Sequence, residues 1–173
     1  MSRNDAEPAI EPALSVAKLR EIGLFGGLDD AVLEHFATTL PRLTLQPGDV
    51  VFREGDPGRE IFVLLEGEME VRKRSRDGHE VRLAVLGPGD WFGEMSLLDV
   101  QPRSASVRAL APSQLLVFRA QDLDALYRRD LKAYALIVMN IAREISRRLR
   151  IADGILAGVV ASVLGKQDIF RSA

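Results

Sequence analysis

The chain has no cysteine, only two histidines and one tryptophan. Without cysteine it has no disulfide, no thiolate-held iron–sulfur cluster and no thiol nucleophile. His35 and His79 stand far apart, and no other residues complete a metal-ligand set of the usual spacing around either. Charge of one sign is missing too. The 23 Lys and Arg against 25 Asp and Glu leave −2 at pH 7, so no basic field draws in nucleic acid. No segment reaches the roughly 18 consecutive apolar residues of a membrane span, and Met1 to Pro12, polar with two prolines, is no signal peptide. These absences predict a cytoplasmic protein that is not an enzyme, with no metal and no membrane span.

At 173 residues and 47% hydrophobic, the chain can bury one core and carry an extension. Residues 1–14 read as a disordered tail. Apolar marks at Leu19, Ile22, Leu24, Phe25, Leu28, Leu33 and Phe36 predict short helices, with Asp29-Asp30 as a cap and Pro41 as a stop. From Leu43 to Phe118 short Val/Ile/Leu/Phe runs alternate with breaks rich in Gly, Pro and Asp. About six to eight strands at this spacing predict an antiparallel barrel or jelly roll. Asp77-Gly78 marks a hairpin tip, and Pro47-Gly48-Asp49 and Pro88-Gly89-Asp90 mark equivalent corners. The expected fold class is therefore α+β, mainly β: a jelly-roll-like β-barrel over 15–130 flanked by N-terminal helices.

After Phe118 the period becomes helical. Gln121 to Arg128 suits a short helix, and a long one is expected over 131–165, with a tail at 166–173. Val138, Ala142, Ile145, Leu149, Ala152, Leu156, Val159 and Val163 keep a 4-3-4-3 spacing, an apolar heptad seam. The seam either packs on the chain's own barrel or forms a homodimer through 138–163. The dimer is favoured, because a small barrel cannot cover that length.

The chemistry is concentrated in Phe92-Gly93-Glu94-Met95-Ser96-Leu97-Leu98 and Pro102-Arg103-Ser104-Ala105-Ser106-Val107. Gly93 lets a ligand approach the backbone. A helical turn over Met95 to Leu98 would face an anion with free N–H groups. Arg103 offers a planar fork of donors for two phosphate oxygens, and Ser104 adds a hydroxyl. Glu94, an acceptor beside an anion, suits a sugar hydroxyl. A phosphate close to a ribose hydroxyl is a nucleotide, and a compact cyclic phosphate suits a single arginine.

These residues resemble the phosphate-binding cassette of the cyclic nucleotide-binding domain family, found in the bacterial catabolite activator protein and in protein kinase A regulatory subunits. Gly48-Asp49, Phe52, Glu54-Gly55-Asp56, Ile61-Phe62, Gly67, and Gly87 with Gly89-Asp90 extend the likeness over Leu24 to Arg150. The resemblance implies a β-roll in which Glu94 takes the ribose 2′-hydroxyl and Arg103 the cyclic phosphate. Gly93, Met95 and Ser96 would add backbone groups and Ser104 its hydroxyl, with Ala105 completing the cassette set. Base contacts would come from Val81, Leu83 and Val71 and from Arg148, Ala152 and Asp153 on the last helix. The catabolite activator carries hydroxyl residues where Ala152 and Asp153 stand here. The expected ligand is cAMP, with cGMP as the alternative. Only ten residues follow Val163, so no DNA-binding domain and no DNA binding by this chain alone are expected. Occupancy would pass through the last helix to an unknown downstream protein. The alternative is a degenerate fold in which Glu94 and Arg103 pair with each other and the chain serves as a dimeric scaffold.

Overall fold

A computed structural model describes residues 14–169 of the chain. Most of the tail expected at 1–14, and the end of that at 166–173, lie outside these residues. Leu14 itself is buried. Eight strands form two four-stranded antiparallel sheets: β1 (Arg42–Leu45), β2 (Val50–Phe52), β3 (Glu60–Glu66), β4 (Met69–Arg74), β5 (Glu80–Leu86), β6 (Trp91–Phe92), β7 (Ser106–Ala109) and β8 (Ser113–Arg119). The sheet orders, β1-β8-β3-β6 and β2-β7-β4-β5, are those of a jelly roll.

The β1-β8-β3-β6 sheet is apolar on both faces, which explains its unbroken hydrophobic runs. Side chains alternate along a strand. Phe62, Leu64, Leu115 and Val117 therefore face the interior of the roll with Met69, Phe92, Val107 and Ala109. Ile61, Val63, Leu65, Leu116 and Phe118 face the opposite way, onto the helices. Those helices are α1 (Val16–Arg20), a 3-10 turn (Gly23–Phe25), α2 (Asp30–Thr39), α4 (Ala120–Arg129) and α5 (Leu131–Ile169), with α3 (Glu94–Leu98) inside the roll segment. Asp29 caps α2 by accepting from the Val32 N–H at 3.3 Å, and the helix stops before Pro41.

Three corners share one construction. In Gln46–Asp49, Arg53–Asp56 and Gly87–Asp90 the aspartate N–H returns to the first residue's carbonyl at 3.0, 3.1 and 3.0 Å. The aspartate carboxylate accepts the first residue's N–H at 2.8, 2.8 and 2.9 Å. The third position is glycine with φ of +93°, +89° and +91°, as a type II turn requires. The Asp77-Gly78 tip closes the β4–β5 hairpin, with Ser75 N–H on the His79 carbonyl at 2.8 Å.

Helix α5 runs to Ile169, beyond the expected end at 165, and divides into two halves. Ala133, Ile137 and Ile141 are buried against the domain. Buried Asn140 donates to the carbonyls of Leu24 and Gly26 at 3.1 and 2.9 Å, pinning this half to the N-terminal turn. Of the heptad seam, Val138 and Ile145 are half-buried, whereas Leu149, Leu156, Val159 and Val163 are exposed. Ile155, Val160 and Leu164 widen this apolar surface. Among the described residues no helix is long and apolar enough to cross a membrane.

Ile137→Ala should lower unfolding free energy by about 2–5 kcal/mol in a urea titration, as expected for a fully buried aliphatic side chain.

Candidate functional site

Strand β6 passes through Gly93 into α3, and this junction admits no side chain. Gly93 has φ +90°, and a Cβ there would lie 2.6 Å from the Glu60 carbonyl and 2.8 Å from Arg103 Nη1. The crowding marks where the two halves of the cassette meet. Arg103 is bonded through its backbone to the 53–56 corner: its N–H donates to the Asp56 carbonyl and its own carbonyl accepts from Gly55 N–H, each at 2.9 Å.

The Arg103 side chain is buried, at 4% exposure. Its guanidinium lies 4.2 Å from the Phe52 ring centroid and 5.6 Å from that of Phe62, on a three-ring cluster completed by Phe92. Nη1 donates to the carbonyls of Glu60 (2.8 Å) and Gly93 (3.1 Å), and Nη2 to the Glu60 carboxylate (2.7 Å). A guanidinium has five N–H bonds. The Nε–H and one Nη2–H remain, side by side on one edge, and buried Nε has no acceptor among the described residues. That edge is the fork that takes two oxygens of a phosphate or carboxylate. Burial pulls the Arg103 pKa below its ordinary value, against the opposing pull of Glu60, Asp56 and Glu94; arginine stays charged regardless. A Cβ on Gly58 would sit 2.4 Å from both Nε and Nη2, so glycine there keeps the edge uncrowded.

Glu94 opens α3 and is also buried, at 4% exposure. It does not share a partner with Arg103. Its Oε1 accepts from Arg148 Nη1 at 3.1 Å, across 54 residues of sequence. Arg148 also donates to the Trp91 carbonyl (2.6 Å) and to Glu144 (2.7 Å), and its guanidinium lies 5.4 Å from the Trp91 ring centroid. Bonds from Arg147 and then Arg148 hold the Glu144 carboxyl below its usual value despite its partial burial. The last helix is thus fastened to the cassette at its acidic residue.

The structure places Gly93, Glu94, Arg103 and Arg148 in one cluster. Ser96 and Ala105 are buried beside them, and exposed Ser104 directs its hydroxyl toward Met95 Sδ at 3.5 Å. Val81 and Leu83 are exposed on β5, while Val71 and Leu86 are half-buried against the roll interior. Ala152 and Asp153 are exposed on the outer half of α5. Sequence reasoning missed Glu60, Gly58 and Trp91 as parts of this cluster; no local spacing connects Glu60 with an arginine 43 positions later.

The family model described as "Cyclic nucleotide-binding domain" matches residues 42–130. The chain belongs to the cyclic nucleotide-binding domain family. It is 37% identical over 130 residues to the cyclic AMP receptor protein of Thermus thermophilus, covering 75% of this chain and 58% of that protein. The crystal structure of the Thermus thermophilus catabolite activator protein superposes with a TM-score of 0.70 at 36% identity, over 78% of this chain and 62% of that one. A cyclic nucleotide-binding domain from Methylobacillus flagellatus gives a TM-score of 0.76 at 26% identity, over 82% and 83% of the two chains. The chain therefore spans about six tenths of the length of the first of these relatives, and the jelly roll with its long helix is the arrangement the cyclic nucleotide-binding domains share with it.

A double-mutant cycle of Glu94→Gln and Arg148→Met, read by chemical denaturation, should give a coupling of about 0.5–3 kcal/mol. Additive effects would show that the pair does not hold α5 to the cassette.

Proposed function

We propose that the chain is a regulatory sensor that binds a cyclic nucleotide, cAMP in preference to cGMP, and signals occupancy through α5. The observation that carries this reading is the buried guanidinium of Arg103 with its unpartnered edge. A buried cation with two adjacent free donors calls for a small oxyanion, and the cyclic phosphate supplies it. Glu94 then accepts the ribose 2′-hydroxyl, and Ser104, Ala105 and the backbone of Gly93, Met95 and Ser96 close around the phosphate. The half-buried Val71 and Leu86 offer an apolar wall for the base, with Val81 and Leu83 at its margin. Ala152 and Asp153 lie on the segment of α5 that would cover it. The Thermus relative's name, a cyclic AMP receptor protein, supports the preference for cAMP.

Glu94 supports the signalling half of this reading. The carboxylate that would receive the sugar already holds Arg148, so ligand and helix compete for or share one acceptor. A bistable contact of this kind is what a ligand switch needs. The exposed apolar surface of α5 from Leu149 to Leu164 supports a homodimer through that helix.

Calorimetry with cAMP and cGMP should show binding by the wild-type chain, tighter for cAMP. Arg103→Ala should cost about 2–5 kcal/mol of that binding. An absence of heat with either nucleotide would reject the reading. Sedimentation should find a dimer that Leu156→Asp with Val159→Asp converts to monomer; a wild-type monomer would reject the helix interface.

A further inference from the structure

Beyond Arg103, one more cation stands at the phosphate end of the roll. Strand β4 lies on β7 in unbroken register, Met69 opposite Ala109 and Val71 opposite Val107. Met69, Val107 and Ala109 are buried in the roll interior, with Val71 packed on them. Side-chain alternation makes the next residue of this inward row Lys73, where an apolar row ends in an ammonium group. Its Nζ donates to the Ser104 carbonyl at 2.6 Å and lies 3.5 Å from Glu54 Oε1. Glu54 is itself held in place: its carboxylate accepts the Arg74 N–H at 2.9 Å, and its own N–H donates to Ser106 Oγ at 2.9 Å. Lys73 therefore reaches the cassette arm from a braced position between the 53–56 corner and β4.

We propose that Lys73 is a positioning residue for the cyclic phosphate. This rests on the cyclic-nucleotide reading above. In a trans peptide the carbonyl and the following N–H point in opposite directions. Holding the Ser104 carbonyl thus sets the direction of the Ala105 N–H, on the arm that carries both the Arg103 fork and the Ser104 hydroxyl. The ammonium withdraws electron density from that carbonyl and strengthens the N–H as a donor. Its charge also adds to the attraction for an anion in the cassette. Lys73 acts through the Ser104–Ala105 peptide and touches neither sugar nor base.

The test is calorimetry on the full chain with cAMP and 2′-deoxy-cAMP, using Lys73→Met and Lys73→Arg, alongside thermal unfolding of the ligand-free proteins. Lys73→Met should weaken both nucleotides by a similar factor, about tenfold for loss of one charged hydrogen bond. Lys73→Arg should restore most of the affinity, with unfolding midpoints unchanged. Wild-type affinity in Lys73→Met would overturn the proposal while leaving the nucleotide reading intact. So would a loss confined to cAMP, which would place Lys73 at the sugar, or one matched by a fall in the unfolding midpoint. A wild-type chain that binds neither nucleotide would overturn the nucleotide reading and this proposal with it.

Discussion

The burial of one guanidinium organises this domain. A cation removed from water is costly unless its surroundings replace what water supplied, and around Arg103 that replacement comes from three stretches of chain, one of them running from Phe52 through the 53–56 corner. Glu60 provides a carbonyl and a carboxylate, Gly93 a carbonyl, Phe52 a ring face, and the 53–56 corner the hydrogen bonds that hold the arginine's backbone. The start of β3, the β6–α3 junction and the arm before β7 are fixed relative to one another by this one group. Gly58 and Gly93 follow from it, since a side chain at either position would enter space the guanidinium fills.

The second organising feature is a sheet with two apolar faces. One face closes the roll, and the other receives α1, α2, α4 and the first half of α5. Because the same strands serve both layers, the helices do not ride on the roll as a loose cover. Phe118 and Leu116 touch the helical layer, while their neighbours Val117 and Leu115 line the interior. The position of α5 is therefore tied to the strands that frame the cassette, and Asn140 adds a specific polar lock at the N-terminal turn.

What was legible in the sequence was what is local. The corners, the hairpin tip, the α2 cap and the cassette each depend on residues within one short stretch, so their residue types declare them. The pairings Glu60–Arg103 and Glu94–Arg148 join distant stretches and leave no spacing to read. The heptad seam was visible, but a seam assumes one apolar face. Helix α5 has two, one ending at Ile141 and Ile145 against the domain and one continuing outward from Leu149. On β5 the difficulty was phase. A register shift in the β4–β5 pairing leaves Leu83 out of the pairs, with Ala84 opposite Val71 and Leu86 opposite Met69. A single-residue slip exchanges the faces of a strand, so the row opposite Met69, Val71 and Lys73 runs Leu86, Ala84 and Val81, which a simple period-2 reading of 81, 83 and 85 does not show.

The attachment of Arg148 also has a mechanical consequence. The helix is pinned on the domain side by Asn140 and fastened to the cassette at Arg148, and from there it extends about 24 Å to Leu164 at the usual rise per residue. A tilt of only about 10° about Arg148 would carry the far end roughly 4 Å, comparable to most of one helical turn. A change of the contact at that single carboxylate would thereby be magnified, by leverage alone, toward the scale at which one apolar surface loses register with another.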